Sequence, residues 1–352
     1  MPLHLLVGAA RSGKIGVLAD RFLDSLARGE EPVLVVPDAP QVAAMERELA
    51  ARAGGLLGGR VLTFEELGDV VAARLGKAAR VPPEPVRATL LRRVASEASL
   101  ERLAGSARFA GFAGAFGRFA EECAASGADA EAATRALRAG SATTPALAEI
   151  AGLYERWQDA LEREGLDDRG TALARAGRRA ASELAAWGAD PLLVYGFEQL
   201  TAAQLDLVEA IAARAGVLVA LPYEPGRLAF AALRDSFERL AARAASVDEL
   251  PPGRYAARES LLALERGLFA ERPAAEPVPL DGGVVLLEAA GAQGEADAIA
   301  SEVATLLRSG VPADEILVVL PTAEAARGAL ERALAALDVP YALDARVPLG
   351  RT

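Results

Sequence analysis

Residues 8–16 read GAARSGKIG. Gly8, Ala9, Ala10, Arg11, Ser12, Gly13 and Lys14 fill the pattern GxxxxGK of a phosphate-binding loop. Such a loop works because successive backbone N–H groups converge on phosphate at a helix N-terminus, where the helix dipole also favours an anion. Glycine lets the backbone approach closely, and the lysine neutralises the outer phosphates. The next position asks for a hydroxyl to hold Mg²⁺, and here it is Ile15, followed by Gly16. Ser12 precedes the lysine and is not expected to face the metal. The chain has 38 Lys plus Arg, of which only Lys14 and Lys77 are lysines. A lysine at this position in so arginine-rich a chain points to a demand for a compact ammonium.

Hydrolysis in folds of this kind also needs a carboxylate at the end of a neighbouring strand. The matching segment is PLLVYGFEQL, which ends in Val194, Tyr195, Gly196, Phe197, Glu198 and Gln199. Tyr195 and Gly196 stand where acids are expected, and Glu198 comes three residues late, as a helix-capping or surface residue would. ATP is therefore a candidate ligand, Mg²⁺ is not expected to be well coordinated, and no catalytic residue is assigned.

Other chemistries are excluded by residue type. His4 is the only histidine and Cys123 the only cysteine. Neither a Ser-His-Asp site, nor an internal disulfide, nor a Cys/His metal or iron–sulfur cluster can be built. The net charge of −11 is unlike that of a protein held to DNA by a broad basic face. No leader peptide and no apolar run of membrane-spanning length is visible, which with the cysteine content predicts a cytoplasmic setting and no membrane partner. Arg169, Arg175, Arg178 and Arg179 fall on one helical stretch, either a phosphate-contacting patch for DNA or a solvated face. Phe109, Phe112, Phe116 and Phe119 recur at helical spacing, a stripe that suits core packing better than base stacking.

The loop needs a strand before it and a helix after it. LHLLVG supplies a continuous apolar run ending in glycine, and KIGVLADRFLDSLARG follows with helical spacing. Two further strand–helix pairs, EPVLVVPD with PQVAAMERELAARAGG and GRVLTF with EELGDVVAARLG, predict a parallel sheet. The alternation stops near residue 83, and helical periodicity runs to about 186. It resumes with DPLLVYGFEQL and VLVALPYEP. The fold class predicted is α/β: a RecA-like P-loop domain with an all-helical insertion, plus the start of a second RecA-like domain. The boundaries are 1–83 and 187–250 for the first domain, 84–186 for the insertion, 251–282 for a connector and 283–352 for the second domain. In the last segment GVVLLEAA, EILVVLP and PYALD are expected as strands. Three strands and two helices make a thin domain, so a longer polypeptide or a partner that completes the sheet is expected.

The order LLVGAARSGK, VLVVPDAPQVAAMERELA, VLTFEELGDVVAARLG and VYGFEQLTAAQLDLVEAI resembles the N-terminal half of the AddB-type subunit of bacterial helicase–nucleases. The later run from GEADAIASEVATLLRSG to DVPYALDARVPL is similar to the start of the second motor domain there and in UvrD/Rep-like superfamily 1 helicases. The resemblance implies two RecA-like domains, work on DNA ends in recombinational repair, and a partner motor–nuclease subunit. Subunits of this type often carry eroded helicase motifs, which fits Ile15 and Tyr195/Gly196. It also implies departures. Pro321 stands where an arginine is expected, Arg327 is one residue out of register, and Glu295 matches the pattern. The family's PD-(D/E)XK nuclease domain and its iron–sulfur cluster have no counterpart in this chain, where neither lysine follows an acid by two residues. Two other functions stay open: an active ATP-dependent DNA helicase, and a P-loop small-molecule kinase.

Overall fold

The computed structural model describes residues 2–75, 80–126, 130–168, 172–173, 176–177, 187, 190–253, 258–270, 277–279 and 281–343. They fall into two compact units, one within 1–257 and 266–275, the other within 258–265 and 276–352.

In the first unit β1 (Leu3–Val7), α1 (Lys14–Ala27), β2 (Val33–Val35), α2 (Ala39–Ala53), β3 (Arg60–Leu62) and α3 (Phe64–Arg74) alternate. Local chemistry sets the helix starts. Asp38 caps α2 by accepting from the Gln41 N–H, with Pro40 in the first turn. Thr63 and Glu66 form a reciprocal capping box on α3. Among the described residues five helices follow: α4 (Glu84–Glu97), α5 (Ala104–Ala107), α6 (Gly111–Ala125), α7 (Ala130–Gly140) and α8 (Ala146–Glu164). The chain then returns through β4 (Leu192–Tyr195), α9 (Ala202–Ala212), β5 (Val217–Leu221), a 3₁₀ turn at Leu228–Leu233, α10 (Arg234–Ala241) and β6 (Ser246–Glu249).

The six strands form one parallel sheet in the order β3-β2-β4-β5-β1-β6. Strands from before and after the helical segment therefore interleave: β4 and β5 slot between β2 and β1. This is the α/β, RecA-like class that the alternation predicts. Residues of β1 point alternately to the two faces. Leu6 joins Leu18, Phe22 and Leu49 of α1 and α2 on one face. Leu3, Leu5 and Val7 join Phe64, Leu67, Leu207, Ile211, Leu233 and Leu240 on the other. Each fully buried side chain such as Phe22 or Leu67 contributes about 1.5–3 kcal/mol. β6 was not anticipated from its sequence, SVDE. It is an edge strand with a single neighbour, mostly exposed, and its acids suit an edge that must not pair with another chain.

The helices α4, α6, α7 and α8 enclose a separate core around Leu91, Leu153, Tyr154 and Trp157. The Trp157 indole donates to the buried carboxylate of Asp168 at 3.2 Å. Phe116 belongs to this core, and Phe112 and Phe119 pack against it.

The remaining helices are α11 (Glu259–Gly267), α12 (Gly291–Arg308) and α13 (Ala323–Ala336). In the second unit α12 and α13 pack through Ala296, Ala300, Ala333 and Leu334, joined by Val339. The three strands expected between residues 283 and 343 are not formed among the described residues. Leu286 and Leu317, from the first two of these segments, are 92% and 84% exposed. Parallel strands persist where both faces are covered, and among the described residues of this unit only one helical layer is at hand.

Because Phe116 is core and Phe109 is 73% exposed, the two should respond differently to truncation. Phe116→Ala should cost about 3–5 kcal/mol and Phe109→Ala under about 0.5 kcal/mol, read by urea unfolding. Equal, small effects would place the stripe outside the core.

Candidate phosphate-binding site

The loop at 8–13 joins β1 to α1, so it leaves the carboxyl end of the sheet. Its neighbour β5 is in register with β1 up to the pair Val7 and Leu221. α1 packs on one face of the sheet, whereas the helix after β5 packs on the other. Connections that leave adjacent strands towards opposite faces open a crevice at their carboxyl ends, where open α/β sheets bind ligands. The loop lies in that crevice.

Its backbone is shaped by three residues in left-handed or related conformations. Gly8 has φ 147°, Arg11 φ 54° and Gly13 φ 92°. A Cβ at Gly8 would meet the Leu250 carbonyl oxygen at 2.8 Å, so the position requires glycine on two counts. Ala9 is buried, while Ala10, Arg11 and Gly13 are exposed. Gly13 is the residue before α1 and offers no side-chain cap, and no acid lies in the first turn of the helix. The positive end of α1 is thus left without a carboxylate from its own sequence.

Lys14, the first residue of α1, is only 6% exposed. Its ammonium donates to the Gly8 carbonyl at 2.8 Å, the Ala9 carbonyl at 2.5 Å and Ser12 Oγ at 3.1 Å. These three bonds use its full donor capacity. Burial lowers the Lys14 pKa, and the carboxylate of Glu224 opposes that effect. Ser12 faces the lysine. Ile15, half-buried, brings no oxygen.

At the end of β4, Tyr195 is half-buried and burial raises its phenol pKa. Gly196 has φ 88°, and a Cβ there would lie 2.8 Å from Gln41 Oε1 and 3.2 Å from Pro37 Cδ. Pro37, from the loop after β2, and the end of the Gln41 side chain, from the first turn of α2, therefore crowd that position. Glu198 is exposed, and α9 is capped instead by Thr201 with Gln204. Among the described residues no group of three or more His, Cys, Asp and Glu side chains comes together. The side chains present do not fit Mg²⁺ at either expected anchor.

Sequence reasoning missed an acid just beyond the strand beside β1, whose charge opposes the lowering of the Lys14 pKa. Glu224 follows β5 by three residues and pairs with Arg227 at 2.5 Å, the two side chains being 22% and 14% exposed. Arg227 also lies over the Phe230 ring and donates to the Leu268 carbonyl. The signal was the acid in LPYEP, but its relevance depends on β5 being the strand beside β1. Arg169, Arg175, Arg178 and Arg179 lie outside the described residues. Arg327 pairs with Glu331 of its own helix, and Glu295 and Pro321 are exposed.

The left-handed backbone and the crowding at Gly196 yield a direct expectation. Gly196→Glu should destabilise the fold by about 1–3 kcal/mol in thermal or urea unfolding, through left-handed strain and the clash with Gln41 and Pro37. It should not create ATP hydrolysis. A stable variant with new turnover would show that the acid position is open.

No helix among the described residues is long and apolar enough to cross a membrane. None of the curated proteins matches the chain. The family described as AddB, N-terminal matches residues 5–250, well over half of the chain, from the first strand past the last strand of the sheet. With its parallel sheet, its loop at β1 and its helical segment between β3 and β4 all inside that match, this chain belongs to the AddB N-terminal family.

Proposed function

We propose that this chain is a helicase-like subunit of a complex that processes DNA double-strand-break ends for recombinational repair. Its first RecA-like domain binds phosphate or nucleotide and hydrolyses ATP weakly or not at all. The observation that carries the repair assignment is the family match over residues 5–250. What supports the weak motor is that Ile15 brings no hydroxyl and Tyr195/Gly196 no carboxylate for metal, with Gly196 crowded by Pro37 and the end of the Gln41 side chain.

The same reading divides the chain into a first RecA-like domain in two parts, 1–83 and 187–250, around a helical insertion at 84–186. A connector at 251–282 leads to the start of a second RecA-like domain from 283. DNA, as a single strand or duplex end, and a helicase–nuclease subunit are the partners it requires, in the cytoplasm. Motor force would come from the partner, with this chain as scaffold or strand scanner. ATP is the nucleotide proposed for the loop, with Gly8, Ser12, Gly13 and Lys14 taking its phosphates.

ATP binding and DNA-stimulated hydrolysis, measured for this chain and for Lys14→Ala, test the reading. Binding that falls by about tenfold or more in the variant, with negligible turnover in either, is expected. DNA-stimulated turnover abolished by Lys14→Ala would instead establish an active helicase. Turnover that needs a small acceptor would establish a kinase.

A further inference from the structure

The crevice between β1 and β5 holds a charge arrangement that a phosphate loop does not require. Lys14 is buried and bonded to its own loop. A buried ammonium needs a compensating charge as well as hydrogen bonds. Neither α1's first turn nor the β4 end supplies one. Glu224 emerges three residues beyond Leu221, whose strand partner Val7 immediately precedes the loop. Its carboxylate is held by Arg227, itself kept in place by the Phe230 ring and the Leu268 carbonyl.

We propose that Glu224 is a specificity-determining carboxylate of the phosphate loop, limiting how much anionic charge the loop accepts, with Arg227 holding it at its post. This rests on the reading of the loop as a phosphate site. In the free protein Glu224 opposes the Lys14 charge without bonding to the ammonium, whose donors go to Gly8, Ala9 and Ser12. An incoming phosphate chain is repelled by it. The repulsion grows with each charge on the ligand, so a triphosphate gains less over a monophosphate than the loop's own cation and helix dipole would give. Arg227 draws the carboxylate away from the lysine. Without Arg227, Glu224 is free to settle on Lys14 and close the site.

Calorimetric titration of AMP, ADP and ATP in EDTA, with thermal melts of every protein used, tests this. In the wild type the three affinities should lie within about threefold of one another. In Glu224→Gln, which keeps size and a hydrogen-bonding partner for Arg227, ATP should bind about tenfold tighter, ADP less so and AMP hardly at all. Arg227→Gln should shift ATP affinity the other way. An ATP affinity in Glu224→Gln that is unchanged or weaker, with a native melt, overturns the proposal. So does a wild type whose affinity climbs steeply from AMP to ATP, a result that does not depend on the variants folding. If the wild type and Lys14→Ala bind ATP equally, the phosphate reading itself fails. If they differ while Glu224→Gln matches the wild type, only the role of Glu224 falls.

Discussion

A buried lysine ammonium that has bonded to its own loop is the constraint on which the rest of the site depends. Lys14 gives its three donors to Gly8, Ala9 and Ser12. That arrangement keeps the loop folded without a ligand and holds a cation at the positive end of α1. On the proposed reading a phosphate meets a preformed cradle, but it must take the ammonium from carbonyls that already satisfy it. The affinity of such a site is a difference between two well-bonded states.

The sheet explains where the loop stands and what surrounds it. β1 is central enough to be covered on both faces, and its loop opens where the helices of neighbouring strands part to opposite sides. β4, whose end should carry the acid, is separated from β1 by β5. At that end a side chain on Gly196 would meet Pro37 and the end of the Gln41 side chain, and its backbone has the left-handed φ that favours glycine.

Much of this was legible in the sequence, for identifiable reasons. Five strands announced themselves as apolar runs, four of them stopped by glycine or proline, and the loop at 8–14 by its glycines and lysine. The helical segment was visible because the strand–helix alternation stopped near residue 83. What stayed hidden depends on neighbours. β6 is polar because it is an edge, so no apolar run marked it. Glu224 did not stand out, because its place depends on β5 being the strand beside β1. The apolar runs at 285–287 and 316–320 have the composition of strands, yet composition does not supply the covering layer that a parallel sheet needs.

The most direct test of the central claim uses the rarity of lysine in this chain. With ¹⁵N/¹³C-lysine labelling only Lys14 and Lys77 give side-chain signals, and Lys14→Arg assigns them. The Lys14 ammonium protons should be protected from exchange with water in the free protein, and the signal should move when ATP is added. A Lys14 ammonium that exchanges freely and does not respond to ATP would contradict the account.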